Sequence, residues 1–127
     1  DAPAVKPRGR KLGDCPRHRA WIRTLPCVVH DNDCRGRVQA AHVRTGTDGG
    51  MGKKPHDRWC VPMCAYHHAE QHRIGERLFW RHTKYVAGIG GAQERARDYA
   101  HNSPDSGARE FSAASPALRR MRMKDRK

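Results

Sequence analysis

The side chains best equipped for chemistry in this 127-residue chain are nine histidines and five cysteines, most of them between Trp21 and His82. Cys27 and Cys34 bracket the turn CVVHDNDC, and Cys64 and His67 follow as C-x2-H. Two pairs of soft or borderline ligands make a tetrahedral zinc set. The competing view is that the three cysteines are small core hydrophobes. Composition favours zinc: hydrophobic residues other than Gly reach only 36% and aromatics 6%, so a small core needs a staple. His30 is the rival fourth ligand, and Cys15 and Cys60 are left over. An odd cysteine count with matching histidines also points to reduced thiolates rather than a disulfide scaffold.

A second group lies close by in the sequence. His68 and His72 are four residues apart, so on a helix they stand roughly 5–6 Å from each other and can grip one cation. His67, one position earlier, is turned about 100° away, so neighbouring histidines can serve two different metals. His42 and Asp57 add one base and one carboxylate for a divalent metal centre. A neutral imidazole with a pKa near ~6.5 can take a proton from water at physiological pH. The bland alternative is a polar, solvated histidine-rich face.

These residues need elements to position them. VQAAHV (38–43) is bounded by Gly36 and Gly46 and alternates as a strand, with Val38, Ala40 and His42 on one face. CVPM (60–63) is its expected partner, confined to an edge or strand end by Pro62. TGTDGGMGKKPHD between them is a loop. From Ala65 to Trp80 the pattern turns helical, with Tyr66, Ile74 and Leu78 marking the stripe, and Gly75 is expected to weaken that helix without ending it. VAGIGGAQ reads as a Gly-rich break, GAQERARDYAH as a short further helix, and Trp59 and Trp80 as core. The expected organisation is a basic arm over 1–20, a working domain over 21–82, a short helical region over 83–102 and a basic disordered tail over 103–127.

The charge balance narrows the partner. With 26 Lys and Arg against 13 Asp and Glu, the formal net charge is +13, so a polyanion such as DNA is expected. Six of the basic residues fall in 1–20 and six in the last nine, as suits arms lying along phosphates. Arg44, Lys53 and Lys54 flank the loop as candidate phosphate contacts. No apolar run approaches the ~18 residues of a membrane span, and the start lacks a secretion signal's apolar stretch, so a cytoplasmic location without membrane partners is expected.

In this order, with His42 on a strand, a loop, a second strand and C-x2-H-H-x3-H on a helix, the chain resembles the HNH (ββα-metal) endonucleases. AAHVRTGTDGGMGKKPHDRWCVPMCAYHHAEQH followed by GERLFW is most similar to the phage recombination-enhancement (Ref-like) nucleases and related prophage proteins. The resemblance covers about residues 25–82. It implies a small α+β fold with a zinc-stapled ββα-metal core; it does not reach the basic, partly disordered arms, which are read from composition. It also implies that His42 is the general base and that His68 and His72 hold a catalytic divalent metal (Mg²⁺, Mn²⁺, Ni²⁺ or Zn²⁺). Asp57 fills the position where many members carry Asn, and Ala41 stands where many carry a metal-binding Asp or His. The role of Asp57 therefore stays open between orienting His42 and completing the metal shell, with His56 a weaker candidate for the same job. The implied function is metal-dependent hydrolysis of DNA phosphodiester bonds, with a RecA-type recombinase filament as a possible partner. The alternative is a zinc-stapled nucleic-acid-binding module that does not cut.

Overall fold

The structure, a computed structural model, describes residues 13–47, 55–83, 86 and 88–107. Helix α1 (Pro16–Ile22) comes first, then strand β1 (Val38–His42), a 3-10 turn (Asp57–Trp59), strand β2 (Cys60–Cys64), and helices α2 (Ala65–Ile74), α3 (Glu76–Arg81) and α4 (Gly88–Asn102). The fold is small and α+β. Its sheet is one antiparallel pair, with Val38 opposite Cys64, Ala40 opposite Pro62 and His42 opposite Cys60. The chain passes from β2 into α2 without a linker.

Alternation along β1 sorts its residues by face. Ala41 is fully buried, as is Val43 just beyond the strand, while Val38, Ala40 and His42 lie on the other side and stay partly accessible. Strand β2 is buried along its whole length. With only one strand partner it owes this to helices: α4, α2 and α1 all pack against it. Pro62, which has no N–H to give the ladder, is accommodated because β2 is an edge. Trp59, Val61, Met63, Phe79, Trp80, Val86, Ala92 and Ala96 join Ala41 and Val43 in one core.

Three expectations need correction. Gly75 ends the helix it was expected only to weaken, with φ 89° and ψ 149°, a backbone region that residues with a Cβ avoid. The break re-aims the chain, so that Phe79 and Trp80 of α3 both reach the core. Next, α4 starts at Gly88, inside the stretch expected to be a Gly-rich break. Its buried Ala92, Ala96 and Ala100 are spaced four apart, and that packed stripe rather than intrinsic propensity holds the helix. Finally, residues 13–20 are not an arm: Cys15, His18 and Ile22 are buried. Ser103, expected to open the tail, is buried as well and meets His18 Nδ1 through its Oγ at 2.7 Å. Residues 1–12 and 108–127, which hold most of both expected arms, lie outside the described residues. No helix among the described residues is long and apolar enough to cross a membrane.

Candidate metal centre and candidate active site

The loop from Cys27 to Gly36 is folded tightly by local chemistry. The Val28 N–H donates to the Pro62 carbonyl at 2.7 Å, the Asp31 carboxylate accepts from the Asp33 N–H at 2.9 Å, and His30 takes a positive φ of 45°. Gly36, at φ 82°, sits so close to the start of α2 that a Cβ there would meet the Ala65 Cβ at 2.7 Å. These constraints bring Cys27 and Cys34 against the N-terminus of α2. Cys64 caps that helix, its Sγ accepting from the His67 N–H at 3.4 Å.

His67 Nδ1 then lies 3.7 Å from Cys27 Sγ, 3.6 Å from Cys34 Sγ and 3.1 Å from Cys64 Sγ. Zn–S bonds of ~2.3 Å and Zn–N bonds of ~2.0–2.1 Å in a tetrahedron require N···S edges of about 3.6 Å; the Cys27 and Cys34 edges match, the Cys64 edge is shorter, and with all four donors within 4.8 Å of one another the set can hold an ion such as zinc. On the far side of the ring, Nε2 faces Asp31 Oδ1 at 3.1 Å. That contact fixes the tautomer that leaves Nδ1 free for a metal, the carboxylate–histidine arrangement common around zinc. Burial raises the Cys64 thiol, but backbone hydrogen bonds from His67 and Arg35 outweigh it and bring the pKa down to about 7. Burial pushes Cys34 up to about 11, so a cation is needed to make it a thiolate. His30 is exposed and outside the cluster; the fourth place belongs to His67.

The second site lies on the outer face of β1. His42 Nε2 is 2.8 Å from Asp57 Oδ1, which the 3-10 turn delivers just ahead of β2. Asp57 is fully buried, and its other oxygen accepts from the Cys15 N–H at 2.6 Å and from Arg19 Nη1. Arg19 also donates to Asp14. Burial alone would lower the Arg19 pKa, but the Asp14 and Asp57 carboxylates overcome it and raise it above the ordinary value. Both Asp57 oxygens are thus engaged, one by His42 and one by the Cys15 N–H together with Arg19 of α1.

On α2, His68 and His72 face each other with their Nε2 atoms 3.1 Å apart. His68 Nδ1 is held by Gln39 Oε1 of β1 at 2.6 Å. Burial, then the neighbouring His72 and His42, lower the His68 pKa, which favours the neutral imidazole a metal needs. The two nitrogens converge at an accessible position, and the pair fits a divalent cation with open coordination places. His56 does something else: its ring accepts from the Arg58 N–H at 3.0 Å and caps the 3-10 turn. Arg44 is exposed, and its N–H donates to Glu76 Oε2 at 2.7 Å. Glu76 Oε1 takes the Thr45 N–H at 2.8 Å. Lys53 and Lys54 lie outside the described residues.

Sequence reasoning missed Arg19, Asp14, Asp31, Cys60 and Glu76. Cys60 is grouped with His42 and Asp57, their donor atoms all within 4.8 Å of one another. The structure pairs it directly opposite His42; the two expected strands carried no register, so the sequence alone did not join them. Nothing in the sequence marks Arg19, which looks like one more basic residue of a tail.

A family model described as "Protein of unknown function (DUF968)" matches residues 4–86. The chain belongs to that family. The DUF968 match includes every donor of both clusters and stops short of α4. The chain is also 35% identical over 57 residues to "Uncharacterized protein YdfU" of Escherichia coli (strain K12). That alignment takes in 44% of this chain and 15% of YdfU, so the chain spans a small part of that relative's length. No solved structure gives a significant match.

Proposed function

We propose that this DUF968 chain is a metal-dependent endonuclease of the HNH (ββα-metal) kind, hydrolysing DNA phosphodiester bonds. The observation that carries the reading is the 2.8 Å contact between His42 Nε2 and Asp57 Oδ1, set beside the converging His68 and His72 nitrogens. Zinc held by Cys27, Cys34, Cys64 and His67 would serve structure alone, fastening the loop after α1 to the start of α2.

The chain's own groups supply the steps. The carboxylate of Asp57 accepts from Nε2–H and so fixes the tautomer in which His42 Nδ1 carries the lone pair. That nitrogen takes the proton from the attacking water. Arg19 and the Cys15 N–H hold Asp57 from behind through Oδ2, so in the reaction it orients His42 and is not a ligand of the cation on His68 and His72. A divalent cation on His68 and His72 would supply stabilisation of the negative charge that builds on the phosphate. Gln39 Oε1 holds His68 Nδ1 and so keeps Nε2 turned toward His72, where the two nitrogens would hold the cation. Arg44 and the exposed Arg35 and Arg37 are suited to flanking phosphates, and the charge of +13 supports a polyanionic substrate.

The test is conversion of supercoiled plasmid to nicked or linear product with Mg²⁺ or Mn²⁺, with and without chelator. Cleavage that chelator abolishes is the expected result. Tight DNA binding without cleavage under every divalent metal would leave the zinc-stapled binding module in its place. By the same resemblance we propose a prophage recombination context with a RecA-type filament as recruiter, testable by co-sedimentation with such filaments.

A further inference from the structure

We propose that His42, Asp57 and Cys60 form a second metal site, inhibitory and specific for thiophilic divalent cations such as Zn²⁺, separate from the Cys27, Cys34, Cys64 and His67 cluster. Binding at this site requires nothing of the nuclease reading; only the inhibition rests on it.

The site follows from the register. His42 and Cys60 are direct cross-strand partners, and such partners project to the same side of a sheet with Cβ atoms roughly 4.5–5.5 Å apart. Asp57 enters from the turn that immediately precedes β2, so one ladder position and one turn assemble a nitrogen, an oxygen and a sulfur donor. All three donor atoms lie within 4.8 Å of one another. Cys60 and Asp57 are fully buried, while the His42 side chain keeps 17% of its surface and gives a cation its way in.

The donor set decides which cations enter. A thiolate with an imidazole suits borderline and soft ions, whereas Mg²⁺ and Ca²⁺ prefer oxygen ligands. Arg19 sits on the Asp57 oxygen that faces away from His42, so Oδ1 remains the donor for the ion. The proton lost by the Cys60 thiol offsets part of the added positive charge. Occupation would take up the His42–Asp57 contact that the proposed hydrolysis depends on. Zinc beyond the structural equivalent would then inhibit, while Mg²⁺ or Mn²⁺ supports the reaction.

The experiment titrates the zinc-loaded full chain with Co²⁺, which binds protein sites more weakly than Zn²⁺ and leaves the structural ion in place. Elemental analysis verifies that the first zinc is retained. A thiolate-to-cobalt charge-transfer band saturating at one further equivalent is expected. It should persist in His68→Ala/His72→Ala, which has lost the other candidate site. In Cys60→Ala the band should vanish and Co²⁺ affinity should fall by at least ~10–100-fold, the loss typical of disturbing a metal's supporting groups. Should Cys60→Ala fail to retain its structural zinc, His42→Ala takes its place and must weaken the band. Absence of the band in the parent, or a band unchanged in the variants, overturns the site. A parent that shows the band but cuts no nucleic acid leaves the metal site standing and removes the nuclease reading. A parent that cuts but shows no band does the reverse.

Discussion

Acidification should unfold this protein partly through one buried residue of α1. His18 is fully buried, and burial, against the pull of Asp105 and Asp57, lowers its pKa from 6.5 to about 4. In the unfolded chain the same ring titrates normally, so below the unfolded value the unfolded state binds the extra proton and the folded state does not. The stability from keeping His18 neutral is present above about pH 6.5 and is lost as pH falls toward 4. Linkage between those two values gives a loss of about 2 kcal/mol between pH 7.5 and pH 5, out of roughly 3 kcal/mol in full. The perturbation is His18→Gln, which keeps a polar partner for Ser103 Oγ and cannot titrate. Urea unfolding of both proteins at the two pH values isolates the difference, because protonation of zinc ligands affects them equally. The parent should lose about 2 kcal/mol more than the variant. Equal losses would refute the reasoning and return residues 13–20 to the status of a loosely held arm.

Other consequences follow from the same contacts. Asp31→Asn removes the carboxylate behind His67 and should weaken zinc about 10–100-fold in a competitive chelator titration, with the fold intact at saturating zinc. Gly36→Ala forces a Cβ into a left-handed backbone position against Ala65, and should cost at least ~1–2 kcal/mol in a denaturant melt. Arg19→Ala leaves the buried Asp57 carboxylate without its cation; the expected cost is about 2–3 kcal/mol by urea unfolding, below the 3–5 of fully buried pairs because Arg19 keeps a quarter of its side-chain surface.

Local patterns in the sequence carried the two ligand pairs, Cys27 with Cys34 and Cys64 with His67, and the helix pair His68 and His72, because each pair is only three to seven residues apart; that the first two pairs meet depends on contacts across 33 and 40 residues. The strand alternation likewise put His42 away from the core face that holds Ala41 and Val43. What stayed hidden depends on contacts across long stretches of chain. Arg19 and Cys15 reach Asp57 across 38 and 42 residues, and a Pro-, Gly- and Arg-rich composition gives no hint of docking. Gly75 is a related case: the apolar stripe continues through it, yet tertiary packing of Phe79 and Trp80 rewards a turn there over a straight helix. Glu76, at the start of α3, holds the Arg44 and Thr45 N–H groups, a tether only the folded chain reveals.

In the proposed reaction His42 is the base, oriented by Asp57, and His68 and His72 would hold the catalytic cation. Plasmid nicking by His42→Ala and by His68→Ala, each across a range of Mn²⁺ concentrations, tests it most directly. The expected result is a rate loss of at least ~10²–10⁴-fold for His42→Ala that no amount of metal restores, and a loss for His68→Ala that excess Mn²⁺ partly recovers. Cutting at the parent rate by His42→Ala, with zinc content unchanged, would contradict it.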